Sequence, residues 1–224
     1  MTKKGILSIH MDGRWDIEDM LDLADALKDT YAYFYSVQNA GNPENEHLER
    51  LLADHFWQGN MPLWKLESRL YDSIPSADAL KIRTIKYASP GFMDIAGILG
   101  VLLLLAKVAN AWLDVGSKLV DTYQKIEEFF SRRRHLQKAQ KNFELNSEAV
   151  QDIDTARELM FELGDALGYN SEDCEKILNM LNNPIAGLKF MVALAKETRK
   201  ISELSQKGLL SLPTPPIESV NDPE

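Results

Sequence analysis

A chain of 224 residues with 45% hydrophobic content can bury one large or two modest cores, so it has no need to be disordered throughout. Its 34 acidic residues outnumber its 25 basic ones, and the formal net charge of -9 disfavours nucleic acid and any anionic surface not met by a local basic face. Cys174 is the single cysteine, which excludes an intrachain disulfide and a thiolate-rich metal site and fits a reducing cytoplasm.

Near the N-terminus, His10, Asp12 and Arg14 interrupt the apolar run after Lys3 and Lys4 too early for a secretory signal. Leu7, Ile9 and Met11 alternate with Ser8 and His10, which predicts a strand over Ile6 to Met11 closed by an Asp12-Gly13 turn. Asp16 can cap the helix that follows, with Trp15 and Met20 spaced as a hydrophobic staple and Ile17, Leu21, Ala24 and Leu27 continuing the pattern toward Phe34. Gly41-Asn42-Pro43 breaks this element. A second helix is expected from Glu44 to about Trp57 and a short one over Leu63 to Tyr71. Leu80 to Tyr87 reads as a second strand, its isoleucines interleaved with Lys81, Arg83 and Lys86 as on a sheet edge.

After Ser89-Pro90-Gly91 the sequence predicts one long helix, capped by Asp94 and free of charge from Ile95 through Ala106. Apolar side chains on every side require enclosure by protein or lipid; Ile98, Leu102, Leu103, Leu105 and Trp112 represent this core or membrane segment. Phe92 to Leu113 has the length of a membrane span but includes Asp94 and Lys107, and a central lysine costs about 2.5 to 3.5 kcal/mol on insertion scales. Continued to Ala139, with Gly116 as the expected bend, the helix would reach about 70 Å and its distal half would need a neighbour. Tyr123, Ile126 and Phe130, followed by Arg132, Arg133 and Arg134, form an apolar and basic surface there, read as partner-binding.

Asn146 and Ser147 offer the next helix start, with apolar positions from Val150 to Leu167. Gly168 is the expected stop, Asn170 the next cap, and Pro184 the opening of a last helix through Ile185, Leu188, Phe190, Val192 and Ala195. Beyond Leu212 the proline-rich tail is expected to be extended and mobile.

Few residues present a chemical motif. His10, Asp12, Asp16 and Asp19 supply an imidazole and carboxylates in one region and form a candidate ligand or metal cluster, although strand-edge bonding and helix capping use the same groups. His47 and His55 lack zinc-protease spacing, and Ser89-Pro90-Gly91 lacks the glycines and lysine of a phosphate loop. Asp173 and Glu175 oppose a thiolate at Cys174. No catalytic residue is assigned and no cofactor is expected.

The expected fold is α+β and predominantly helical: a small two-stranded element with a long central helix and C-terminal helical hairpins. Its divisions are an N-terminal α/β region at 1–91, the apolar-to-charged helix at 92–143, a helical region at 144–206 and a tail at 207–224. The expected function is that of a non-enzymatic helical interaction or scaffold module, self-associating through a coiled-coil-like helix. A membrane-associating module and a metal-dependent enzyme using the N-terminal acidic cluster are the alternatives. The expected partner is the chain itself or another protein, in the cytoplasm with or without membrane contact.

Overall fold

A computed structural model describes residues 3–57, 61–88, 90–114, 116–139, 147–213 and 218–220. It shows a mixed, mostly helical fold. Strand β1 (Lys4–Met11) forms as its alternation requires, with Leu7, Ile9 and Met11 buried. The Asp16 side chain accepts the Asp19 backbone N–H at 2.8 Å and starts α1 (Ile17–Gln38), whose C-terminal half is almost wholly buried. A short 3₁₀ turn at Pro43–Asn45 leads into α2 (Glu46–Phe56), followed by α3 (Leu63–Asp72) and strand β2 (Lys81–Lys86).

Gly91–Ile98 is strand β3, and the helix expected from Phe92 begins only at Leu99. Met93 and Ile95 lie opposite Ile9 and Leu7 of β1, so the apolar residues line one buried face with period two. Ile98, expected on the helix, is the last residue of this strand. Asp94, expected as a cap, instead accepts a 2.5 Å hydrogen bond from Ser8 Oγ on the opposite face. Close approach helps decide the matter, because a Cβ at Gly97 would stand 2.8 Å from the Tyr31 ring.

Helix α4 (Leu99–Asp114) and helix α5 (Gly116–Ala139) replace the single long helix. Their axes, taken over Leu99–Leu113 and Lys118–Arg134, differ by 94°. At this corner Trp112 lies against Tyr123 with the rings tilted and their centroids 6.0 Å apart, and donates its indole N–H to Thr198 Oγ1 at 3.0 Å. Leu102 and Leu105 are fully enclosed and Trp112 nearly so, against α1, β1, β3 and the last long helix, whereas Leu103 is half-buried. Lys107, the lysine inside the apolar stretch, is exposed and lies over the turn at Gly168.

Helices α6 (Ser147–Ala166), α7 (Ser171–Leu181) and α8 (Pro184–Gln206) complete the helical layer. Asn170 caps α7 through the Asp173 N–H at 2.8 Å, and Asn183 caps α8 with Pro184 at its first position. Helix α5, the distal half of the expected single helix, finds its neighbour here, burying Leu119, Ile126 and Phe129, and packs on α6. One continuous core joins residues from all the long helices and from β1 and β3.

The sheet is larger than two strands and runs in the order β2-β3-β1-β4, with β4 (Leu210–Ser211) and β5 (Glu218–Val220) both added to β1. All pairings are antiparallel. The expected tail at 207–224 thus contributes two strand segments, drawn in by the free backbone edge of β1; the rest of the expected extended tail, 214–217 and 221–224, lies outside the described residues. The opposite edge, β2, is exposed along its length, carries Lys81, Arg83 and Lys86, and is irregular between Ile82 and Thr84, features that guard an edge against uncontrolled pairing.

Candidate functional site

Helices α5 and α8 line a groove of about 960 Å³, to which Trp57 at the end of α2 also contributes. Its apolar lining comes from Tyr123, Ile126 and Phe130 on α5 and Ile185 and Val192 on α8. Positions 123, 126 and 130 recur at helical spacing, as do 185, 189, 192 and 196, so each helix turns one stripe toward the opening. Trp57 remains 56% exposed.

Four cations stand at this apolar lining: Arg133 and Arg134 from α5, Lys189 and Lys196 from α8, against one carboxylate, Glu127. For a chain of net charge -9 this is a local inversion of sign. Arg133 Nη1 is shielded from water and has no hydrogen-bond partner among the described residues. Burial, with Arg133 nearby, pulls the Lys189 ammonium below its ordinary value, and its Nζ reaches the Phe56 carbonyl only at 3.4 Å. Guanidinium and ammonium groups beside aromatic and aliphatic side chains suit an anionic group carried on an apolar body.

The groove brings together Tyr123, Ile126, Phe130, Arg133 and Arg134, and adds Trp57, Ile185, Lys189, Val192 and Lys196 from distant parts of the chain. Arg132 turns away toward Asp152 of α6, 3.8 Å distant. Sequence reasoning missed the α8 contribution, although the stripe from Ile185 to Lys196 alternates apolar and basic residues at intervals of four, three and four. His135, Lys138 and Lys141, which extend the basic run in sequence, have side chains outside the described set.

The N-terminal cluster is used otherwise. Asp16 caps α1, Asp19 pairs with Lys207 Nζ at 3.0 Å, and His10 is exposed on the sheet face opposite the helices. The Asp12 N–H bonds the Leu209 carbonyl at 2.8 Å. Among the described residues no group of three or more His, Cys, Asp or Glu is arranged to hold a metal ion. Cys174 is buried, and burial with Asp173 and Glu175 nearby pushes its thiol up to about 11, the reverse of nucleophile activation.

A second polar cluster joins α1, α3 and α8. Glu197 is nearly enclosed and pairs with Lys200 at 2.6 Å, while the Tyr33 hydroxyl donates to Glu67 at 3.3 Å. Burial, then the neighbouring Glu197 carboxylate, pushes Asp29 up to about 6; burial, then Asp29 and Glu197, pushes Glu67 up to about 7. Lys28 and Lys200 offset part of this. Unfolding returns both carboxyls to values near 4, so between about pH 4 and 7 the folded chain holds protons that the unfolded chain has released. Stability is fullest at the acid end of that window and falls as pH rises through it. We expect the urea midpoint to drop between about pH 5 and 8 by the equivalent of about 1 kcal/mol, after allowance for solvent at both carboxyls. The Asp29→Asn/Glu67→Gln variant should lose most of that slope; an unchanged slope would detach it from these groups.

No single helix among the described residues is long and apolar enough to cross a membrane, although α4 with α5 and α7 with α8 meet the length and composition as bent pairs, at 94° and 118°. No protein-family model, curated protein or solved structure matches the chain.

Proposed function

We propose that the protein is a non-enzymatic interaction module whose working surface is the α5–α8 groove, built to hold an acidic, amphipathic partner. The observation that carries this reading is the set of four cations, Arg133, Arg134, Lys189 and Lys196, facing one carboxylate, Glu127, around the apolar residues of the groove. Guanidinium and ammonium groups at an apolar lining pair with carboxylates carried by an amphipathic partner. The apolar lining supplies the remaining affinity and the basic rim the charge selection.

A synthetic amphipathic helix with a leucine stripe flanked by glutamates is the direct probe, read by Trp57 fluorescence with Trp57→Phe as the control for the other tryptophans. Binding should shift the emission to the blue, weaken with salt, and weaken about tenfold or more in Arg134→Glu/Lys196→Glu. Equal binding of a lysine-flanked counterpart would remove the charge argument, and no binding of either would remove the groove.

Membrane association is the second reading, favoured by the two bent apolar helix pairs. Its weight is limited by α4, whose apolar side chains already have protein neighbours on several sides. Flotation with anionic vesicles, compared with Leu103→Asp checked for retained folding, tests it; protein left at the bottom of the gradient at low salt would sink this reading.

A further inference from the structure

We propose that the occupant of the groove is a second copy of this chain, which seats the exposed N-terminal face of its α1 there. The proposal rests on the groove reading above and names its partner. At the start of α1, Ile17 is 78% exposed and Leu21 59%, four residues apart and therefore on one face. Glu18, Asp22 and Asp25, all exposed, border that stripe. Tyr87, 70% exposed, adjoins Ile17 and Leu21 and widens the apolar surface.

Large apolar side chains this exposed, gathered in one patch, mark an interaction surface more often than chance placement. Here the patch is an apolar ridge bordered by carboxylates. The groove is its complement, an apolar furrow bordered by Arg133, Arg134, Lys189 and Lys196. The α1 carboxylates of the second copy face the basic rim of the groove, and Ile17 and Leu21 meet Tyr123, Ile126 and Phe130. Asp19 takes no part, because Lys207 holds it within its own chain.

Geometry prevents a chain from filling its own groove. Lys207, just past the end of α8, bonds Asp19, and Tyr33 packs edge-on against Phe190, so α1 runs antiparallel to α8. The exposed face of α1 therefore lies at one end of α8 and the groove at the other, roughly 25 Å apart at the helical rise. Two different surfaces at opposite ends give a head-to-tail contact, which closes into a ring or continues as a filament.

The test uses the full chain and two variants. Ile17→Ser/Leu21→Ser removes the ridge at exposed positions, and Arg134→Glu/Lys196→Glu inverts the rim; unchanged melting by circular dichroism confirms that each folds. In analytical ultracentrifugation the unaltered chain should form assemblies that grow with concentration and shrink with salt, and each variant alone should sediment as a monomer. Mixed in equal amounts, the variants should yield a heterodimer that does not grow, because only one intact ridge and one intact groove remain per pair. A chain that stays monomeric at all concentrations overturns the proposal, as does a mixture that stays monomeric while the unaltered chain assembles. The acidic-peptide titration separates the two levels: if that peptide binds a chain that remains monomeric, the groove reading stands and the second copy falls; if it does not bind, both fall.

Discussion

Phe190→Ala should lower the free energy of unfolding by about 3–5 kcal/mol, seen as a lower urea midpoint with the slope preserved. Phe190 is fully enclosed in α8 and meets two further rings edge-on, Tyr33 of α1 at 5.4 Å and Phe56 of α2 at 5.7 Å. Truncation leaves a space walled by rings held on two other helices, α1 and α2, which cannot close over it without moving those helices, so a cavity cost adds to the lost burial. The effect should also reach the groove, because Lys189 and Val192 sit on the same stretch of α8. A loss below about 1 kcal/mol would mean that the three rings do not pack in solution as described.

Tyr31→Phe is the second large effect, about 2–4 kcal/mol, although it removes a single oxygen. The Tyr31 hydroxyl accepts the buried Ile98 N–H at 2.8 Å and donates to the Asp78 carbonyl at 2.6 Å, so it ties α1 to the end of β3 and to the loop before β2. Phenylalanine keeps the ring and leaves the Ile98 N–H without an acceptor in a water-free position, which costs its full desolvation. Tyr35→Phe is the matched control, since that hydroxyl makes one longer, part-buried bond of 3.3 Å to Asp78. Equal losses for the two variants in urea denaturation would contradict the bridging role of Tyr31.

Local chemistry was legible in the sequence wherever it is decided within a few residues. Asp16, Asn170 and Pro184 start helices as their side chains or ring require, and Gly168 ends one with φ of 80°. Gly91–Ile98 was not legible, because a short apolar run satisfies a strand and a buried helix equally. Partners far away decided it: Leu7 and Ile9 supply the register, and Tyr31 fills the space that a side chain at Gly97 would need. The same division applies to the groove. Tyr123, Ile126, Phe130 and the arginines share one helix and could be read together, whereas Lys189, Lys196 and Trp57 join them only through the way α2, α5 and α8 are arranged in space.

The position of β1 in the sheet also sets an order of events as the chain is made. This strand precedes the other strands of the sheet, yet β3 comes only after three helices, and β4 and β5 only after all the described helices. Helices can form as they emerge, but β1 must keep an unpaired, apolar-faced edge until residues from the far end of the chain return to it. Refolding should therefore be slow for so helical a protein, and the interval before β4 arrives is when the nascent chain is most open to pairing with the wrong strand.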